Sequence, residues 1–236
     1  MDIFELAARG SAAEIKAALG EGAEVAARDI FGQTPLFLAA TGNLDAEVAG
    51  ALLEAGADVN ARDKGGRTPL MFAAWKNPNS AVLELLLASG AETREVDTDA
   101  WSALHWAAWS SACAQAVRIL LEAGAEVDGR DIHGWTPLME AADFNESLAV
   151  VRALLEAGAD IAARNDDGMS ALMLAARNNP NPAVVEALLL AGGPAAARMR
   201  DSKGAAALDF ALKNAKLDGT DALLRLREAS VSVTKI

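Results

Sequence analysis

The chain repeats itself every 34 residues, and this beat limits its fold more than any other feature. Asp29-Ile30-Phe31-Gly32-Gln33-Thr34-Pro35-Leu36 returns as Asp63-Lys64-Gly65-Gly66-Arg67-Thr68-Pro69-Leu70 and as Asp97-Thr98-Asp99-Ala100-Trp101-Ser102-Ala103-Leu104. It returns again as Asp131-Ile132-His133-Gly134-Trp135-Thr136-Pro137-Leu138, and Asn165 opens a further copy that ends Ser170-Ala171-Leu172. Ala-Ala pairs at 39–40, 73–74, 107–108, 141–142 and 175–176 keep the same time, as do Leu-Leu pairs at 52–53, 86–87, 120–121, 154–155 and 188–189. Self-similarity at such a period means modules that stack along one axis and bury their apolar faces only against their neighbours.

Each module reads as two short helices and an extended excursion. Thr34 is placed to cap a helix with its hydroxyl, and Pro35 suits the first helical position, where its missing N–H costs nothing. The Ala pair that follows is small enough to let neighbouring helices approach closely. Asn77-Pro78-Asn79 and Asn179-Pro180-Asn181 stop the first helix and restart the second. Val82, Leu83, Leu86 and Leu87 form the apolar stripe of that second helix. Gly90 closes it, with equivalents at Gly56, Gly124 and Gly158, because glycine tolerates the left-handed conformation that ends helices. The polar stretch at 58–66 is too long for a tight helix–helix turn and predicts a hairpin-like projection.

The Asp-x-x-Gly-x-Thr-Pro-Leu-x-x-Ala-Ala openings and the Leu-Leu-Glu-Ala-Gly-Ala-Asp-Val-Asn-Ala-Arg stretch at 52–62 resemble ankyrin repeats of the bacterial type, over residues 2–227. The family's usual period is about 33 residues, and the extra residue here sits between the two helices, often at the Asn-Pro-Asn turn. Tetratricopeptide repeats share the longer period, but their Trp-Gly-Tyr signature is missing and the chain has no tyrosine. The resemblance implies an all-α solenoid of about seven helix pairs with hairpin-like projections between them. A capping repeat is expected at 1–28, five regular repeats at 29–62, 63–96, 97–130, 131–164 and 165–192, a diverged capping repeat at 193–230, and a tail at 231–236, with fraying from Ser230 onward. It also implies a non-enzymatic protein–protein interaction module. Bacterial relatives of this kind act as regulators, as immunity-type inhibitors, or as effectors delivered into another cell.

Composition removes other function classes. With 33 acidic against 21 basic residues and a net charge of −12, the chain would repel nucleic-acid phosphates. The single cysteine, Cys113, excludes an internal disulfide framework, and two histidines do not build a typical metal site. Cys113 falls in the turn between the helices of the fourth pair, where nothing supports a nucleophile. No catalytic residue, metal or cofactor is assigned. His133 lies at a hairpin tip, whereas the family resemblance implies that His105 is a structural imidazole bonded near its own turn. The recurring acids Glu54 and Asp58, Glu122 and Glu126, and Glu156 and Asp160 are framework positions that keep the scaffold soluble. No apolar run reaches the roughly 20 residues of a membrane span. The N-terminus, Met1-Asp2-Ile3-Phe4-Glu5, lacks a secretory signal, so a cytoplasmic monomer is expected, with export by a non-classical route left open.

In a repeat protein the positions that vary between modules define what is touched. The last tip position reads Gln33, Arg67, Trp101, Trp135 and Met169, and the position after the Ala pair reads Thr41, Trp75, Trp109, Asp143 and Arg177. With the tip residues Phe31 and His133, and with Phe144, these point to an aromatic-rich concave face on the central repeats. The partner-binding set is therefore Phe31, Arg67, Trp75, Trp101, Trp109, His133, Trp135, Asp143, Phe144, Met169 and Arg177. The occupant expected is an unknown protein; the alternative uses of the same residues are a small-ligand pocket and simple stacking between repeats. Trp106 is the residue most suited to stacking, since its register holds Leu38, Phe72 and Leu174 elsewhere.

Overall fold

The computed structural model describes residues 2–110 and 114–231, and these residues form helices and turns without a strand. They divide into two compact units, one of residues 1–107 with 115–126, the other of 108–114 with 127–236.

In the first unit the inner row of helices is α1 (Ile3–Arg9), α3 (Pro35–Gly42) and α5 (Pro69–Lys76), each packed against the next. The outer row is α2 (Ala12–Gly20), α4 (Ala46–Glu54) and α6 (Ser80–Ala88). α7 (Ala103–Trp109) and α8 (Ala114–Glu122) follow in the chain, and the division falls within both, after Ala107 and after Ala114. In the second unit α9 (Pro137–Phe144), α11 (Ala171–Asn178) and α13 (Ala207–Ala211) make the inner row. α10 (Leu148–Glu156), α12 (Pro182–Arg198) and α14 (Asp221–Val231) make the outer row, with a short 3-10 turn at Ala215–Leu217. Helices this short are marginal alone, so their stability comes from stacking. Leu36, Leu52, Leu70, Leu86, Leu104, Leu120, Leu138 and Leu154 are fully buried or nearly so at repeated registers. Each such leucine stabilises the fold by roughly 1.5–3 kcal/mol.

Many helix ends follow their chemistry, but the N-cap hydroxyls of Thr34, Ser147 and Ser170 make no capping bond, and that of Ser170 is buried without a partner. Thr68 and Thr136 accept hydrogen bonds from the backbone N–H groups of Met71 and Met139, but Thr34 makes no capping bond and its Oγ1 is buried without a partner. The expected cap at Thr34 is thus supplied by backbone geometry and Pro35 alone. Gly124 has φ 82° and closes α8 through a bond from the Ala125 N–H to the Leu120 carbonyl. Gly193, at φ 57° and ψ −160°, kinks α12 where the regular Gly-Ala-Asp has become Gly-Gly-Pro. α14 continues to Val231, so Ser230 and Val231 are helical rather than frayed. The rest of the expected tail, 232–236, and the Cys113 turn lie outside the described residues.

Two ladders join consecutive modules. Asn43, Asn77, Asn145, Asn179 and Asn214 are each buried to 9% exposure or less. The Asn179 side chain donates to the carbonyls of Ala142 and Asn145 in the preceding module at 2.9 and 3.0 Å, and its Oδ1 accepts from the Asn181 N–H at 2.9 Å. The other four repeat this arrangement, each satisfying the carbonyls left open at the end of a first helix. The second ladder runs along the tips. Arg28 donates to the carbonyls of Gly32 and Arg62, and Arg130 to those of Gly134 and Arg164, while backbone bonds join Lys64 to Phe31, Thr98 to Gly65 and Asp166 to His133. Within each unit the projections are therefore turns stitched tip to tip, and the pairing of Val96 with Ser102 is their one β-bridge among the described residues.

Candidate protein-binding face

Four tips are organised by their opening acids, Asp29, Asp63, Asp97 and Asp131, and the fifth by Asn165, whose Oδ1 accepts from the Met169 N–H at 2.9 Å. Asp97 Oδ1 accepts from the N–H groups of Asp99 and Trp101, and its Oδ2 accepts from the Trp106 indole at 3.1 Å. Burial raises the pKa of this carboxyl despite those bonds. At the preceding tip, burial pushes Asp63 upward, but the bonds from Arg67 and Gln33 outweigh it and hold the carboxyl below its ordinary value. Arg67 grips Asp63 through Nε and a second nitrogen at 2.9 and 2.8 Å, with its guanidinium 5.0 Å from the centre of the Phe72 ring. Arg67 is thus committed to its own tip and is only partly exposed.

The first unit holds a continuous run of rings. Phe37 meets Phe72 at 5.4 Å, Phe72 meets Trp75 at 5.9 Å, and Trp106 sits 4.9 Å from both Trp75 and Trp101. Trp75, Trp101 and Trp106 are all half-buried, and the Lys76 ammonium lies 3.7 Å above the Trp75 ring. Trp106 occupies the stacking register, and Trp75 and Trp101 flank it. Such edge and tilted contacts contribute about 0.5–1.5 kcal/mol each beyond area burial. His105 is buried, its Nδ1 accepting from the Ser102 N–H at 3.2 Å and lying 2.9 Å from the Ser102 hydroxyl. That is a structural imidazole. Phe31 projects from its tip at 58% exposure.

In the second unit Trp109 is half-buried, and His133 is exposed at its tip. Trp135 stacks on Phe144 with ring centres 6.1 Å apart and planes 23° from parallel; Phe144 remains 53% exposed. Two expected contact residues do not reach the surface. Met169 is 4% exposed, and its thioether sulfur accepts from Arg177 at 3.3 Å. Its flexible apolar side chain folds inward, unlike the wide indoles at the same register. Asp143 is also 4% exposed, held by Asn178 at 2.7 Å and by Arg177 at 3.5 Å. Burial nonetheless raises its pKa.

Sequence reasoning passed over Glu140. It lies in α9 at the register of Leu38, Phe72, Trp106 and Leu174, a place otherwise given to apolar side chains. Glu140 is 2% exposed, and its Oε2 has no hydrogen-bond partner. Burial, then the like charges of Asp131 and Asp143, push its pKa up to about 8. The signal was present as the one charged residue in an apolar column.

Comparison with known families settles what this architecture is. A model described as ankyrin repeats in three copies matches residues 3–97 and 76–165, and one described as ankyrin repeats in many copies matches 154–211. The chain belongs to the ankyrin-repeat family. The crystal structure of the human ASB11 ankyrin repeat domain is similar to it at a TM-score of 0.85 and 26% sequence identity, covering 99% of this chain and 100% of that one. No curated protein matches the chain in sequence. Ankyrin repeats are in general non-enzymatic scaffolds for protein–protein interaction. Among the described residues no cluster of His, Cys, Asp and Glu is disposed to hold a metal ion, and no helix is long and apolar enough to cross a membrane.

Proposed function

We propose that this ankyrin array is a non-enzymatic adaptor that binds a partner protein through the aromatic side chains of its inner helices and tips. The observation that carries the reading is the Trp135–Phe144 stack. Phe144 is more than half exposed, yet its position is fixed by the ring beside it. A preset aromatic surface loses little ordering entropy on binding, and tryptophan is enriched among interface hot spots. Trp75, Trp101 and Trp106 support one another and stiffen the first unit, so they combine a stacking role with the exposed edges they offer.

The test compares proteins captured from the source cell by the wild-type chain and by a Trp135→Ala/Phe144→Ala variant. The variant is expected to keep its helical circular dichroism and lose its specific partner. Retention of the same captured proteins by the folded variant refutes the reading.

A further inference from the structure

The second unit carries an acid that its own architecture does not use. Glu140 and Asp143 stand three residues apart on α9, and Phe144 follows at i+4 from Glu140, so these side chains rise from adjoining positions on one helix face. Trp135 stacks on Phe144 from the tip. The charges acting on Glu140 are those of Asp131, on the tip before α9, and of Asp143, on α9 itself; both are negative. The cation of α11, Arg177, pairs with Asp143, which Asn178 of the same helix also holds; the buried Nε of Arg177 has no acceptor. Glu140 Oε2 meanwhile has no partner at all, in a residue 2% exposed.

A buried carboxyl without a partner is a cost, and leucine fills the same register in two other modules, at Leu38 and Leu174. Where a sequence breaks its own local rule, the compensation is expected in function. The unsatisfied atom asks for a donor. The surplus of acid around it asks for a positive one, and the adjoining aromatic stack suits a flat one. Guanidinium meets all three requirements: it is planar, always charged, stacks on rings and donates to carboxylate in a fork. Lysine's compact, strongly hydrated ammonium would lose more solvation there and stack less well.

We propose that Glu140, with Asp143 and the Trp135–Phe144 stack, forms a receptor for one arginine side chain of the partner protein. This rests on the binding role proposed above and specifies the chemistry of the anchor. On docking, the guanidinium lies along the aromatic pair and donates to Glu140, whose proton leaves to solvent as the ion pair forms.

A displayed library of short random peptides, selected on the full-length chain, provides the probe. Each binder is then measured against Trp135→Ala and Glu140→Leu. Leucine is the residue native to this register, so loss of binding by Glu140→Leu cannot be assigned to misfolding when its melting temperature is equal or higher. The expected result is a set of Trp135-dependent binders sharing one invariant arginine, weakened about 30-fold or more by Glu140→Leu. Calorimetry at pH 7 in buffers of different ionisation enthalpy should show proton release with the wild-type chain and none with Glu140→Leu. Trp135-dependent binders that lack arginine and bind Glu140→Leu equally well overturn the arginine receptor while leaving the aromatic face intact. A selection that yields no Trp135-dependent binder overturns both readings.

Discussion

Replacing Glu140 by leucine should stabilise the protein, by an amount that grows with pH. In the native chain the carboxyl is raised from its ordinary 4.5 to about 8, first by burial and then by Asp131 and Asp143. Below pH 4.5 both folded and unfolded chains hold the proton, and the group exacts no ionisation penalty. Between 4.5 and 8 the native state binds more protons than the unfolded state, so stability falls as pH rises; above 8 the loss levels off. At 1.36 kcal/mol per pKa unit, the penalty grows by about 2–3 kcal/mol from pH 5 to pH 7 and by about 4 kcal/mol from pH 5 to pH 8.5. Leucine removes this dependence and also the unpaired Oε2, worth about 1–3 kcal/mol at any pH. Urea denaturation of wild type and Glu140→Leu, followed by circular dichroism at pH 5, 7 and 8.5, measures the difference directly. A stability gain that stays constant across these pH values refutes the argument, because it would mean that Glu140 ionises in the folded chain as readily as in the unfolded one.

Three further substitutions test the framework by the same denaturation assay. Asn179→Ala removes two interstrut bonds to the carbonyls of Ala142 and Asn145 and should cost about 2–4 kcal/mol; a loss below about 1 kcal/mol would deny the ladder its role. Ala100→Gly should stabilise, by about 0.5–1 kcal/mol, because Ala100 holds φ 61° where the equivalent tips carry Gly32, Gly66, Gly134 and Gly168; a destabilised variant would refute that strain. Gly124→Val should cost ~1 kcal/mol or more from its φ of 82° alone, since an added Cβ meets no atom within 4 Å. An unchanged midpoint would tell against the left-handed cap.

The helix pairs, the glycine caps and the tip turns were legible because each is local chemistry repeated at a fixed spacing. Thr68 and Thr136 cap as their hydroxyls predict, and Thr34, with the same neighbours Pro and Leu, does not. That difference depends on side-chain placement, which no motif encodes. The asparagine ladder was visible as Asn43, Asn77, Asn145 and Asn179 in one column, but the breaker role of Asn-Pro-Asn was sufficient to account for two of them. Its second role, reaching back to the preceding module, is a long-range contact that only stacking reveals.

The contact face was less legible, for a reason that Trp106, Met169 and Glu140 make plain. Offset within a repeat tells which face a side chain leaves from, but its exposure depends on what the neighbouring module places over it. Trp75 and Trp101 both share contact with Trp106, so residues at three registers became one cluster. Met169 shares its register with Trp135 and yet turns inward. Phe72 and Trp106 depart from the leucine of their column in size, and their ring contacts account for the departure. Glu140 departs from the same column in charge. No contact within its unit satisfies its Oε2, so packing cannot account for this departure as it does for the rings. Within the column of Leu38, Phe72, Trp106, Glu140 and Leu174, Glu140 is therefore the member whose departure the ring contacts do not explain, and the arginine receptor proposed above accounts for it.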